Sequence, residues 1–442
     1  NTSSTDDEAE MNIVLDSISI VDGGALILVD SGMNISTQAN LTVGGTAGSK
    51  TSKIILKRGS AVFRCENVTI GESGLIDADG AGYTYETSGP GHIGTIEVPY
   101  KNEWGSGMLT YHHGHGGSHG GRGAYAMFKY RAGMDYTNIQ LQHRASDITG
   151  YDDVQRPQMM GSAGTRGSAN GVRGGSGGGV LSLLVAKAMV LDGIIRANGQ
   201  SGVGHSSDSS YSGGGGAGGS IYIRSHSFYG SGNATVHGGE GGFNYRQSWQ
   251  NHAAGGGGGR IAIHCVSPRN FNGYLTAFGG VGGPKVPTTE CNANTCPTLD
   301  SGAYSAVGGQ GTVYENCGDV ETRLTVDNDG FAPQFPSYLT ESRSTAISGQ
   351  TLPEIQSLRM GMLTNFSLRY TIPPSPSFEE RDVLEFITPE ISSAFQNDTC
   401  DVSAAVVKTS LQTSPTGICA EVDGSGMKNV HIPNFGRLPV YC

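Results

Sequence analysis

The sequence predicts an all-β chain, a glycine-rich parallel β-helix (β-solenoid) followed by a carboxy-terminal β-sandwich-like domain. Three observations predict it. Short runs in which apolar and polar residues alternate recur along the chain, and that alternation is the period of a half-buried strand, not of a helix. They return at intervals of roughly 40 residues, the range of repeat architectures. Glycine runs separate them, and after Cys317 glycine thins and the strand-like segments lengthen.

The repeat is plainest between Gly174 and Cys317. Glycine runs lead into Val180-Leu181-Ser182-Leu183, Ile221-Tyr222-Ile223, Ile261-Ala262-Ile263 and Thr312-Val313-Tyr314. Each of the first three is followed by a second strand with its own signature, Gly193 to Gly199, Gly232 to Gly238 and Gly273 to Gly279. Two short strands cannot bury a face alone, so the units must stack and share one long core. Glycine suits the sharp turns of such a coil because it adopts positive φ cheaply. Runs such as Gly255 to Gly259 exceed one turn, which leaves open a second arrangement as extended, side-chain-free layers.

Taken in order, residues 1–11 form a flexible acidic leader. The solenoid spans 12–320. Ser17-Ile18-Ser19-Ile20, Asn40-Leu41-Thr42-Val43 and Asn67-Val68-Thr69-Ile70 share one pattern at spacings of about 23 and 27 residues, near one coil. Their apolar residues point inward, so Asn40 and Asn67 point outward at equivalent places. Glycans on one face and a hydrogen-bonded asparagine ladder are both compatible with that. Gly74 to Gly80 repeats the second-strand signature, and a loop-rich insertion at about 83–171 then interrupts the coil. Residues 321–442 read as the second domain, with strands at Leu324 to Val326, Met362 to Ile372, Val383 to Ile387, Ala404 to Val407, Ile418 to Val422 and Val430 to Ile432.

Composition narrows the function. The 71 glycines in 442 residues are more than twice the usual share of about 7%, without the Gly-X-Y period of collagen. A formal charge of -11 argues against nucleic acid or an anionic membrane as partner. No segment has the apolar length of a membrane span. The eight cysteines show no Cys-x-x-Cys metal spacing, and disulfides are the better reading. Cys291 with Cys296 and Cys400 with Cys419 would close short loops, and Cys265 with Cys317 is a further candidate. Sequons occur at Asn1 and at Asn34, Asn40, Asn67, Asn233, Asn365 and Asn397. Together these features favour a secreted glycoprotein, extracellular or at a cell surface.

The succession His115 to Gly123, Tyr151 to Gly164, Gly174 to Leu183, Leu191 to Gly199 and Gly256 to Ile263 resembles a glycine-rich β-solenoid module. That module recurs in large secreted or surface-anchored proteins of protists, algae, plants and bacteria, and the resemblance covers about residues 65–320. It implies an extracellular surface or matrix role and brings no catalytic residues with it.

Chemical motifs are sparse. His112, His113, His115 and His119 suggest a zinc or copper site, but flanking glycines give them no rigid frame. Gly114-His115-Gly116 is similar to a short motif of pectin-hydrolysing β-helix enzymes, yet the paired carboxylates of glycoside hydrolysis are missing beyond Asp152-Asp153. Asp77-Ala78-Asp79-Gly80 and Asp327-Asn328-Asp329-Gly330 resemble fragments of calcium loops and read more simply as turns. Pro373 to Ser377 reads as a rigid loop. No catalytic, cofactor or metal site is therefore expected.

A coil has open ends whose strand edges must be capped or used. The segment holding Ile13, Leu15, Ile18 and Ile20 is the candidate assembly strand, added to a neighbouring copy. Head-to-tail repetition would not close and would build a filament of this chain with itself. The expected function is thus a structural subunit of an extracellular glycoprotein filament or surface hair. A monomeric adhesin or glycan-binding protein is the alternative, and a polysaccharide-active enzyme the third reading.

Overall fold

The computed structural model describes residues 11–92, 96–102, 105–111, 114–128, 150–167, 172–204, 212–242, 251–267, 269–282, 306–318 and 322–328, with short strands beyond them. Among the described residues every regular element is a strand. The leader at residues 1–10 lies outside them.

Nine strands open the described chain: β1 (Met11–Leu15), β2 (Ile18–Ile20), β3 (Ala25–Leu28), β4 (Met33–Thr37), β5 (Asn40–Val43), β6 (Ser52–Leu56), β7 (Ser60–Cys65), β8 (Asn67–Ile70) and β9 (Gly74–Asp77). Every third strand pairs in parallel, so β1-β4-β7, β2-β5-β8 and β3-β6-β9 begin three separate sheets. The chain visits the three in turn, and each circuit stacks on the one before. Two short antiparallel pairs follow, β10 (Ile96–Asn102) with β11 (Gly105–Tyr111), and β12 (Met127–Phe128) with Asn251–His252.

The circuits then resume with β13 (Val180–Val185), β14 (Ala188–Leu191), β15 (Ile194–Arg196), β16 (Ser220–Ser225), β17 (Ser227–Gly230) and β18 (Asn233–Thr235). After β19 (Asn251–His252) come β20 (Arg260–Cys265), β21 (Asn270–Phe271), β22 (Tyr274–Thr276), β23 (Thr312–Cys317) and β24 (Arg323–Val326). β13, β14 and β15 add in parallel to β7, β8 and β9, so the ladders run unbroken past the insertion. Each circuit holds three strands where the sequence suggested two. The missed strands, β14, β17 and β21, follow the first strand of their circuit within a few residues and have no glycine run before them.

Parallel, in-register stacking turns alternation into columns. Ile35, Phe63, Leu183, Ile223 and Ile263 form one inward column of the first sheet. Leu41, Val68, Met189 and Phe228 form its counterpart in the second. Ile54, Ile76, Ile195 and Ala234 do so in the third, and none of these residues is more than 1% exposed. They belong to one continuous core. Burying each large aliphatic side chain stabilises by roughly 1.5–3 kcal/mol, so the stack is the main source of cohesion.

The glycine runs are not turns. Along 213–219, successive backbone N–H groups point to three neighbours in rotation. Gly213, Gly216 and Gly219 donate to Val203, Gln200 and Ala197; Gly214 and Ala217 to Thr165 and Ser162; Gly215 and Gly218 to Ala254 and Gly257. Along 254–259 the same rotation reaches segments 114–117, 306–309 and 236–239. A repeat of three residues per turn with no internal hydrogen bonds is the geometry of extended polyproline-II-type chains. These chains pack side by side as a second layer on the strands, their donors and acceptors satisfied between segments. Only glycine allows it: a β-carbon on Gly216 would fall on the Ser176 carbonyl, and one on Gly256 on the Gly216 carbonyl. The left-handed glycines lie elsewhere, as at Gly23, Gly44, Gly59 and Gly80 between strands.

Two described parts of the insertion, 114–126 and 161–165, are buried in this layer. Gly117 donates to Gly215 and receives from Gly257. Past residue 320, β24 pairs antiparallel with β23 and extends the first sheet. Strands also occur at Phe366–Thr371, Val383–Leu384, Val406–Lys408, Glu421–Asp423 and Asn429–His431, each overlapping a stretch predicted as strand, and at Ser337–Thr340, Ser357–Met360 and Asp401–Val402, which were not predicted. Most of residues 329–442, Pro373 to Ser377 included, lies outside the description.

Candidate functional site

The expected assembly strand is docked within its own chain. Ile13 sits beside Ile35, Leu15 beside Thr37, Ile18 beside Leu41 and Ile20 beside Val43. Ile20 is buried, while Ile13 and Ile18 are half-buried against the core. The segment is therefore the chain's first circuit and not a free strand held out to a neighbour. Its other side has no partner strand among the described residues. β1, β2 and β3 each stand at the end of their sheet with a partner on one edge. Met11, Val14, Leu15, Val21, Ile27 and Val29, all on this circuit or its turns, are 44–68% exposed.

Two of the four histidines, His115 and His119, are buried among the glycine segments. His119 is wholly buried, with Nδ1 against the Gly218 carbonyl at 2.8 Å and Nε2 against Asp152 Oδ2 at 3.1 Å. Since a carbonyl only accepts, Nδ1 carries a proton there. His115 accepts at Nδ1 from the Ala126 amide at 3.1 Å and meets the Tyr125 ring edge-on. Both clamp glycine segments. His112 and His113 lie outside the described residues, and among the described residues no three His, Cys, Asp or Glu side chains converge as metal ligands.

Asp152 is the hub of a buried polar cluster. It takes hydrogen bonds from the Gln158 and Met159 amides and from Ser220 Oγ at 3.1 Å, besides facing His119. Burial pushes its carboxyl up, but the bonds and charge from His119 and the amides outweigh that and hold it below the usual range. Beside it Arg260, wholly buried at the start of β20, donates from Nε to the Tyr151 carbonyl at 2.9 Å and from Nη1 to Thr312 Oγ1 at 3.0 Å. Burial lowers its guanidinium's pKa, against the raising effect of Asp152 and Asp153. Asp153 caps a turn, accepting from Gln155 and Arg156 amides. Histidine, carboxylate and hydroxyl meet here, each of them buried. The cluster ties segment 150–160 to the strands. Sequence reading missed Arg260 and Ser220, whose one signal was a polar residue between a glycine run and an apolar strand.

The calcium-like pair Asp77 and Asp79 is occupied by Arg196 of the next circuit, at 2.8 and 3.0 Å. Asp327 and Asn328 are described while Asp329 is not, and Asn328 caps the Gly279 amide at 2.6 Å.

Among the sequons, Asn34, Asn40, Asn67 and Asn233 all stand on strands whose next residue, Ile35, Leu41, Val68 or Ala234, is buried in the core. Polar-apolar-polar is simply the pattern of a half-buried strand, which explains their number. Asn67 Nδ2 donates to Asn40 Oδ1 at 3.1 Å, one step of an asparagine ladder. Asn365 and Asn397 lie outside the described residues. Cys265 and Cys317, in-register neighbours on β20 and β23, form a disulfide, and Cys65 is buried as a free thiol. Cys291, Cys296, Cys400 and Cys419 lie outside the described residues.

Comparison with protein families, curated proteins and solved structures finds no match to this chain.

Proposed function

We propose that this chain is a structural subunit of an extracellular glycoprotein filament or surface hair, built on a β-solenoid and a sandwich-like carboxy-terminal domain, assembling head-to-tail. The observation that carries the reading is the uncovered first circuit. Among the described residues three strand edges have no partner at one end, ringed by six exposed apolar side chains. Open edges of this kind are templates for pairing with another chain. At the other end the second and third sheets finish at β21 and β22, while β24 covers β23 in the first, so a second copy stacked with the same polarity would continue two of the three ladders, and a heterologous contact of that type propagates. The partner is then a further copy, joined by an edge and not by a strand removed from its own fold.

Electron microscopy of the secreted chain over a range of concentrations tests this. Regular filaments are expected, and Val14→Lys with Ile27→Lys should abolish them while leaving the fold intact, because both side chains point away from the core. Isolated particles at every concentration, or filaments indifferent to both substitutions, would sink the reading.

A further inference from the structure

The outward face of the third sheet holds one sequon in an apolar setting. β15, β18 and β22 pair in parallel, and Ile194, Asn233 and Tyr274 stand in register across them. The residues that follow, Ile195, Ala234 and Leu275, pack in the core, so this row faces out. Ile194 is 40% exposed and Tyr274 72%. At the strand spacing of a sheet, Asn233 has each of them as a neighbour about 5 Å away. Tyr274 makes no hydrogen bond or ring contact among the described residues. The other described sequons differ. Asn40 and Asn67 bond to each other, and Asn34 has an interaction of its own. The side chain of Asn233 is in no hydrogen bond among the described residues, nor is that of Thr235, the hydroxyl residue of its sequon on the same face.

We infer that Asn233 carries an N-linked glycan whose first sugars lie on Tyr274 and Ile194. This rests on the extracellular glycoprotein reading and not on filament assembly. Addition forms a bond from Asn233 Nδ2 to C1 of the first sugar and breaks the C1–O bond to a lipid-diphosphate donor. The lipid diphosphate leaves, and Nδ2 gives up one proton to a basic group of the transferase. The fold then decides what the sugar touches. A pyranose ring presents a face of C–H groups, which matches the flat ring of Tyr274 on one side of Asn233 and the Ile194 side chain on the other. Covering both takes apolar area out of water. The glycan so placed shields an exposed apolar strip on the side of the coil and leaves association to its ends.

The test uses the full chain secreted from a eukaryotic host, mapped by peptide mass spectrometry and melted beside N233Q, Y274A and N233Q/Y274A. Asn233 is expected to be glycosylated. N233Q should melt about 1–6 °C below the wild type, the order of one aromatic stacking contact. In the Y274A background the same substitution should shift nothing. The same chains made with glycan transfer blocked separate the sugar from the substitution, since wild type and N233Q should then melt together. An unmodified Asn233 beside an occupied Asn40 overturns the inference and leaves the glycoprotein reading standing. A melting gap equally large with and without Tyr274, or one that persists between the unglycosylated chains, overturns it as well. Glycan on none of the sequons would sink both readings.

Discussion

The side-chain amide of Asn67 donates to the side-chain carbonyl of Asn40 one circuit away, at 3.1 Å, while its own carbonyl accepts from the Ala188 amide at 3.3 Å. Asn67 is thus used on both sides, and Asn40 on one. Removing Asn67 strands the Ala188 amide, and Asn67→Ala should cost about 1 kcal/mol by denaturant titration, Asn40→Ala much less. A glycan on Asn40 Nδ2 leaves the ladder whole. Peptide mass spectrometry of the secreted chain should therefore find Asn40 more occupied than Asn67.

Gly216→Ala should unfold the glycine layer, because the new methyl would fall on backbone atoms of Ser176 and Gly175 with no side chain to move aside. Gly45→Ala is the control, since its nearest atom would be Ser49 Oγ at 3.5 Å. Thermal melts should show a loss of several degrees or no folded protein for the first, and a change within about 0.5 kcal/mol for the second.

Asp152 carries a pH dependence with a definite sign. Its folded pKa is depressed, so its contribution is present above the ordinary carboxylate range, near pH 4, and is lost as pH falls through the lower folded value. Wild-type stability should fall in that acid window. Asp152→Asn should be less stable at neutral pH, yet lose less on acidification; parallel acid-unfolding slopes would refute the assignment.

Cys265 and Cys317 are 52 residues apart in sequence and in register across β20 and β23. Their disulfide closes a long loop of the unfolded chain. Cys265→Ser with Cys317→Ser should cost roughly 2–4 kcal/mol in urea titration. Under the same conditions a reductant should weaken the wild type and leave the double variant unmoved.

Alternation in Ser17 to Ile20, Asn40 to Val43 and Asn67 to Ile70 sufficed to predict strands, their inward faces and their stacking, because a period of two is a local property that burial merely ratifies. The sequence by itself thus determined an all-β chain of stacked units, and it left two arrangements for the glycine runs. Only the tertiary structure decided between them. A glycine run has no side chain to declare a face, and the three-way rotation of donors along Gly213 to Gly219 exists only once neighbours from distant circuits surround it. The same holds for Arg260, Asp152 and His119, whose meeting depends on segments far apart in sequence being brought together by that layer. The open edge of β1 was a matter of placement too: its alternation marks a strand, but which side of that strand is covered depends on where the rest of the chain stacks.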